Sequence, residues 1–317
     1  MPSPDFGEID RYTSEGIVVV RELLDDRLLD LARAGVDRVL AEPSPLSVTA
    51  NRPGDPAFVE DFCNWERFGE LGTVATDAGV AEVARTLMQS ATVRLFHDHA
   101  LVKQAGSSQR TPWHQDQPYY NVDGRQNISF WITLDAVPIE TSLECVRGTH
   151  LGPWLMPRTF LDREAKWFPE GSLAEIPDFS PEDPRIVRYA LQPGDAIAFH
   201  FLTVHGAPGA SGQRRILSLR YLGDDARHAP RAWRTSPPFD DVTSELAAGA
   251  PMDHPRFPLV CRTRRVDRSR RVDSGRSQPS RSASVTRSRS GSRARRGSGR
   301  FPTGGVSYLR RSRSSGR

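Results

Sequence analysis

The chain has 317 residues, of which 37% are hydrophobic, enough to bury one large core or two modest ones. Its formal charge of +4 is the sum of two segments of opposite charge. Residues 262–317 contain 18 arginines, no lysine and 2 acidic residues, a net charge of +16. Residues 1–261 therefore carry −12, which argues against a nucleic-acid groove on the main domain.

Cysteines and apolar runs indicate the compartment. Cys63, Cys145 and Cys261 form no CxxC pair, which is typical of a reducing environment rather than of a disulfide framework. Residues 1–8 have neither the basic start nor the apolar run of a signal peptide. No window offers about 18 uninterrupted apolar residues, the length that a membrane span needs. We therefore expect a cytoplasmic protein with no membrane partner.

The first third of the chain predicts one strand and two helices. A β-branched run at residues 16–20 is typical of a strand. Asp25 is placed to cap a helix whose apolar residues, from Leu28 to Val39, recur at spacings of four and three. A second helix is predicted near residues 80–88, where the apolar residues form one stripe.

From about Thr92 the pattern changes to short apolar alternations broken by glycine and proline, which are typical of short antiparallel strands. The predicted strands are residues 93–103, 128–134, 143–146, 186–191, 196–204 and 216–222. Short strands after two helices predict a mainly β fold, an antiparallel barrel or sandwich with flanking α-helices.

Two segments lack this alternation. Residues 151–183 are long, irregular and aromatic, and two interpretations stay open, a lid over the site and a surface elaboration. Residues 262–317 contain 14 serines beside their 18 arginines. The segment therefore has too few apolar residues to offset the entropy lost on folding, and we predict a disordered tail. The tail either binds RNA or an acidic partner, is phosphorylated, or is a solvated or frame-shifted extension. The predicted domains are thus 1–261 and 262–317.

The strongest chemical signal is the tripeptide His114-Gln115-Asp116. In an extended strand residues i and i+2 point to the same face, so His114 and Asp116 can reach one metal while Gln115 points away. A second imidazole from His205 would complete two histidines and one carboxylate on one side of the metal. This facial triad leaves three coordination positions open, as in non-haem Fe(II) oxygenases.

Taken together, the ordered motifs resemble the phytanoyl-CoA dioxygenase family over residues 14–260. The matching stretches are residues 95–103, 111–120, 129–131, 147–150, 193–195, 205–206 and 214–225. The resemblance implies a double-stranded β-helix (jelly-roll, cupin-like) core and an oxygenase that uses Fe(II), 2-oxoglutarate and O2. It maps the metal ligands onto His114, Asp116 and His205.

The resemblance also implies a 2-oxoglutarate site. In the family an arginine about ten residues after the distal histidine holds the far carboxylate, and guanidinium suits this because it binds carboxylate as a bidentate fork. Arg214 and Arg215 both qualify but point to opposite faces of a strand, and alignment with the family favours Arg214. Ala207 stands where relatives often have a hydroxyl residue. The other cofactor-binding candidates are Lys103, Trp131 and His99. The substrate-pocket candidates are Tyr119, Tyr120, Asn121 and His97.

These features predict a dioxygenase that hydroxylates a small organic substrate and releases succinate and CO2. Related enzymes that halogenate lack the carboxylate ligand, so Asp116 favours oxygen insertion. The alternative is a catalytically silent jelly-roll that binds a metabolite, with the basic tail binding nucleic acid or an acidic partner. The substrate stays open among acyl-CoA thioesters, free amino acids and secondary metabolites, although the acidic body disfavours acyl-CoA.

Overall fold

The computed structural model describes residues 3–51, 53–158 and 171–263. Within these ranges the helices are α1 (Phe6–Glu15), α2 (Asp26–Ala41), α3 (Gly69–Ala75), α4 (Ala78–Met88) and α5 (Asp240–Glu245). The strands are β1 (Ile17–Val20), β2 (Val48–Thr49), β3 (Phe58–Phe62), β4 (Thr92–Lys103), β5 (Thr111–His114), β6 (Val122–Asp123), β7 (Asn127–Thr133), β8 (Glu144–Val146), β9 (Ile186–Val187), β10 (Ala196–Phe199), β11 (Val204–Ala207), β12 (Arg214–Leu222), β13 (Arg227–His228) and β14 (Leu259–Arg262).

Two antiparallel sheets form the framework. The larger has the order β1-β10-β7-β12-β4-β3-β2, and β14 adds to it beside β4. The smaller has the order β5-β11-β8-β9, while β6 and β13 form a separate pair. The fold is therefore mainly β with flanking helices and a jelly-roll core, as the sequence predicts.

The two faces of the larger sheet differ in chemistry. On β7, Ile128, Phe130 and Ile132 belong to the main hydrophobic core, which also contains the apolar stripes of α2 and α4. The alternate residues Ser129 and Trp131 point the other way, and Trp131 lines a cavity. Burial of each large apolar side chain contributes about 1.5–3 kcal/mol. The helix-covered face thus stabilises the sheet, and the opposite face is free to carry polar groups.

Several predicted elements are confirmed in type, and their ends agree to within two residues. The strand predicted at residues 16–20 is β1, and the two predicted helices are α2 and α4. Asp25 caps α2, because its carboxylate accepts a hydrogen bond of 2.8 Å from the backbone N–H of Leu28. Three helices, α1, α3 and α5, were not predicted.

The single strand predicted over residues 196–204 is wrong. The chain forms two strands there, β10 in the larger sheet and β11 in the smaller. Between them the N–H of Thr203 donates to the carbonyl of His200 at 2.8 Å, and the N–H of His200 donates to the carbonyl of Gly16 at 3.0 Å. This turn carries the chain from one sheet to the other and positions His205 in the smaller one.

Residues 159–170 of the irregular segment 151–183 lie outside the described residues, so the two interpretations of this segment, a lid and a surface elaboration, are not tested there. Its described residue Leu155 packs with Val146 and Val204. The predicted tail lies outside the description from residue 264 onward, whereas β14 pairs with β4 and ends one residue beyond the predicted boundary at 261. Across the described ranges, none of the helices has the length and apolar character needed to cross a bilayer.

Candidate metal centre

A cavity of about 860 Å³, its open mouth included, has walls from both sheets. The predicted site residues on its walls are His99, Lys103, His114, Asp116, Tyr119, Tyr120, Trp131, His205 and Arg214. The structure places the other two candidates, His97 and Asn121, outside the walls. The cavity therefore gathers side chains from β4, β5, β7, β11 and β12 that are remote in sequence.

The pairing of β5 with β11 brings two histidines together. His114 and His205 are Cα partners across this antiparallel ladder, and their ring centroids are 4.1 Å apart. Nδ1 of His114 lies 2.9 Å from the carbonyl of Pro112, and Nδ1 of His205 lies 2.9 Å from the carbonyl of Thr203. When each Nδ1–H donates to its carbonyl, each Nε2 keeps a free lone pair for a metal.

The extended strand predicted through Asp116 is wrong, although the convergence it was meant to explain is present. β5 ends at His114, and Asp116 has φ −76° and ψ −43° because its N–H donates to the carbonyl of Phe201 at 2.8 Å. The turn still directs Oδ1 of Asp116 to 3.6 Å from Nε2 of His114 and of His205. Gln115 points away, as predicted, and its amide bonds to backbone groups.

These three side chains fit a single metal ion. Their ligand atoms all lie within 4.8 Å of one another. An ion with bonds of about 2.1 Å at right angles holds ligand atoms about 3 Å apart, so a small contraction is enough. Burial, together with the neighbouring His114 ring, lowers the pKa of His205 to about 3, which keeps this imidazole in the neutral form that binds metal.

Arg220, on β12, is a site residue that the sequence did not identify. Its Nε donates to Oδ2 of Asp116 at 3.1 Å, and both side chains are buried. Burial by itself raises the pKa of Asp116, but the Arg220 guanidinium and the two imidazoles outweigh it and hold that pKa well below its usual range. The carboxylate therefore stays charged. The available signal was the even spacing of Arg220 from Arg214, which puts both on one face of a strand.

A second group of polar side chains on the walls is basic. Arg214 and Lys103 are Cα partners across β12 and β4, and they are 5% and 2% exposed. The Arg214 guanidinium donates to the carbonyls of Thr141 and Pro208 and lies 5.7 Å from the centre of the Trp131 ring. In the described part of the chain, no carboxylate lies within ion-pair distance of Arg214 or Lys103. Two buried basic side chains that are hydrogen-bonded to neutral groups at the cavity wall fit a carboxylate of a dicarboxylate ligand.

Arg215 points to the opposite face, as strand alternation predicts. Its guanidinium pairs with Asp135 at 2.8 Å and with Asp37 at 3.0 Å. These carboxylates satisfy Arg215 near the protein surface. Of the two candidate arginines, Arg214 is therefore the one that the structure places at the cavity.

The remaining wall is aromatic. Tyr119 and Tyr120 follow Asp116 in a short 3-10 turn and line the cavity. His99 stacks on Phe62, with ring centroids 3.8 Å apart and an angle of 19° between the planes, and its Nε2 lies 3.6 Å from the Glu60 carboxylate. Neither Phe62 nor Glu60, both on β3, was identified from the sequence.

His97 and Asn121 do not reach the cavity for identifiable reasons. The ladder between β4 and β12 shifts register next to His97, whose ring packs against Tyr120 and Phe239 at centroid distances of 5.3 and 6.3 Å. Asn121 follows the turn that presents the two tyrosines, and its backbone carbonyl accepts from the N–H of Ala229. Both residues therefore lie beneath the wall rather than in it.

Two sequence comparisons relate the chain to phytanoyl-CoA dioxygenases. The family profile described as phytanoyl-CoA dioxygenase (PhyH) matches residues 12–217. The chain is 23% identical to the peroxisomal phytanoyl-CoA dioxygenase of Rattus norvegicus in an alignment 241 residues long that covers 68% of this chain and 68% of that protein.

Solved structures with the same fold include two enzymes of nogalamycin biosynthesis. The non-heme alpha-ketoglutarate-dependent carbocyclase SnoK has a TM-score of 0.63 and 22% identity, over 81% of this chain and 97% of that one. The epimerase SnoN, in complex with Fe3+, alpha-ketoglutarate and nogalamycin RO, has a TM-score of 0.62 and 25% identity, over 80% of this chain and 98% of that one. EctD from S. alaskensis with bound Fe has a TM-score of 0.54 and 19% identity, over 69% and 77%.

The close approach of β5 to β11 generates a test of the metal centre. A Cβ on Gly206 would lie 2.9 Å from the carbonyl oxygen of Thr111, so Gly206→Ala should push the strands apart and separate His205 from His114. We expect Fe(II) affinity, measured by anaerobic calorimetry, to fall by roughly tenfold to a hundredfold. Gly212→Ala makes the same chemical change where nothing lies within 4 Å, and should leave affinity unchanged. Equal affinities in the two variants would contradict this account.

Proposed function

Because the chain belongs to the phytanoyl-CoA dioxygenase family, we propose that this Fe(II)- and 2-oxoglutarate-dependent oxygenase hydroxylates a small organic substrate and releases succinate and CO2. Its cofactor is Fe(II), and its cosubstrates are 2-oxoglutarate and O2. The proposal depends above all on the convergence of His114, Asp116 and His205 within 4.8 Å on the wall of a cavity.

We assign the iron to these three side chains and the far carboxylate of 2-oxoglutarate to Arg214. When bound, Fe(II) supplies the redox chemistry that couples oxidation of 2-oxoglutarate to oxidation of the substrate. Arg214 is already held against Trp131 and two backbone carbonyls, so it needs little reorganisation to accept a carboxylate. Arg220 keeps Asp116 charged and fixes its orientation, and is thus a positioning residue.

The substrate is assigned to the aromatic side of the cavity. A groove lined by Leu46, Val48 and residues 234–238 shares Glu60 and Phe62 with the cavity wall. A small organic molecule in this groove would extend past Phe62 towards Tyr119 and Tyr120. The apolar walls exclude water from the reacting C–H bond, which limits side reactions.

The oxygenase domain is proposed to span residues 1–261. The residues assigned to iron and Arg214 lie before residue 221, and the strands that carry His114, His205 and Arg214 pair only with strands of this span. The basic segment 262–317 is not needed for any role assigned here.

The iron ligands are tested by succinate release. Purified protein should convert 2-oxoglutarate to succinate only when Fe(II) is present, and His114→Ala should reduce this turnover to background because one of three ligands is lost. His254→Gln provides the control, since His254 pairs with Glu245 away from the cavity and its loss should leave turnover intact. Full iron-dependent turnover by the His114 variant would disprove the assignment.

The reaction type is tested on the product. A compound that stimulates succinate release should gain one oxygen atom, derived from O2, because Asp116 occupies the position that a halide takes in related halogenating enzymes. Mass spectrometry after turnover under 18O-labelled dioxygen measures this directly. A product with no added oxygen, as from ring closure or epimerisation, would refute hydroxylation while leaving the cofactor assignment intact.

The adjacent arginines form a matched pair for the cosubstrate site. Arg214→Met should raise the KM for 2-oxoglutarate by roughly tenfold to a hundredfold, since a hydrogen bond to a charged group contributes about 1.5–3 kcal/mol. Arg215→Met removes the same group from the surface face, where it pairs with Asp135 and Asp37, and should leave KM unchanged. Steady-state kinetics with varied 2-oxoglutarate compare the two. A larger effect at Arg215 would reverse the assignment.

A further inference from the structure

The ring of His99 is a buried polar group whose hydrogen-bonding atoms are unused. It lines the cavity and is 5% exposed, and within the described ranges neither Nδ1 nor Nε2 has a hydrogen-bond partner. Buried polar side chains are as a rule hydrogen-bonded, because an unpaired polar atom loses its hydration without compensation. An unused ring on the wall of a cavity therefore indicates a polar group of a bound molecule.

Glu60 supplies a carboxylate at the same place. On β3, Phe62 is the Cα partner of His99, and Glu60, two residues earlier, points to the same face of the strand. The Glu60 carboxylate is buried and lies 3.6 Å from Nε2 of His99, which is too long for a hydrogen bond. The carboxylate and the ring thus lie side by side without a hydrogen bond between them.

Both residues lie where the cavity meets the groove. Glu60 and Phe62 border the two spaces, and His99 borders the cavity next to them. The rest of the groove wall is mostly apolar, with Pro45, Leu46, Val48, Pro237 and Pro238 beside the polar Arg234 and Ser236. A molecule that extends from the groove into the cavity therefore passes Glu60 and His99.

The chemistry of this pair suits a hydroxyl group. Burial, followed by the Arg220 guanidinium, holds the pKa of His99 well below its usual value, so the imidazole is neutral and offers one N–H donor and one lone pair. The Glu60 carboxylate only accepts hydrogen bonds. A hydroxyl group both donates and accepts, and can therefore satisfy the carboxylate and the ring at once.

Ionised groups fit the same place less well. Arg214 and Arg220 line the cavity and Arg234 lines the groove, and the Arg220 guanidinium already opposes positive charge at His99. An ammonium would add a further positive charge to these arginines, and a carboxylate would face the like charge of Glu60. A neutral hydroxyl group meets neither penalty.

We propose that the substrate is an alcohol with an apolar body, whose hydroxyl group donates to Glu60 and accepts from the N–H of His99. The inference rests on the assignment of the substrate to this groove in the proposed function. It moves His99, which the sequence associates with the cosubstrate, to the substrate side. Acyl-CoA thioesters and free amino acids carry ionised groups, so the open substrate classes narrow to hydroxylated secondary metabolites.

A panel of matched probes tests the functional group. The panel contains cyclohexanol, menthol and a steroid alcohol, each with its methyl ether and with the amine that replaces its hydroxyl group. The protein is loaded with Mn(II) and 2-oxoglutarate, and the enhanced relaxation of probe protons near Mn(II) reports binding inside the cavity. The alcohol that binds best should have a Kd lower than that of its ether or amine by roughly tenfold to a hundredfold, because only the alcohol hydrogen-bonds to both side chains.

Two variants assign this preference to the proposed pair. Glu60→Leu and His99→Phe should each raise the Kd of the alcohol towards that of its ether and leave the Kd of the ether unchanged. The phenyl ring of His99→Phe can keep the stack on Phe62. Glu42→Leu is the matched control, since Glu42 is an exposed residue that pairs with Arg38, and should keep the wild-type preference. Thermal unfolding checks that the variants are folded.

The outcomes distinguish this inference from the function beneath it. Equal binding of alcohol and ether, a preference for the amine, an alcohol preference that survives in both variants, or no probe bound near Mn(II) would each refute the alcohol site. The oxygenase assignment stands in all four cases if the wild-type protein binds 2-oxoglutarate and releases succinate with Fe(II). If it does neither, both fail together.

Discussion

The antiparallel pairing of β5 with β11 is the constraint on which the site depends. It sets His114 directly opposite His205, and the carbonyls of Pro112 and Thr203 fix the orientation of both rings. A shift of one residue in this ladder would turn one imidazole to the other face of its strand. The third proposed ligand, Asp116, comes from the turn that ends β5, so one short segment positions two of the proposed ligands and the ladder positions the third.

Burial of so many ionisable groups is unfavourable, and the fold offsets it on the opposite face of the same sheet. On β12, Leu217 and Leu219 belong to the helix-covered core, while the alternate residues Arg214 and Arg220 face the cavity. Buried charges cost free energy unless they are paired or hydrogen-bonded. Arg220 is paired with Asp116. Among the residues that the structure describes, Arg214 is hydrogen-bonded only to carbonyls, so it retains its capacity for an anion.

Local patterns were sufficient for some features and not for others. Helix α2 was predicted because Asp25 caps a regular apolar stripe, whereas α1 has only Tyr12 as a buried residue and so gives no such stripe. The three proposed metal ligands were predicted from residue type and from the order of the family motifs, and the structure brings them within 4.8 Å of one another. The break at residues 200–203 and the role of Arg220 depend on contacts between distant segments, namely with Gly16 and with Asp116, and no local periodicity encodes them.

The side chains assigned to the cosubstrate and those at the groove come from different parts of the chain. Arg214 and Lys103 sit on the two long paired strands β12 and β4, whereas β2, β3 and residues 234–238 supply the groove beyond Phe62. Residues 234–238 are a connection without regular structure, and such segments tolerate substitution better than a central ladder does. With the substrate assigned to this groove as proposed, a change in chemical selectivity requires no change in the paired strands that carry Arg214 and Lys103.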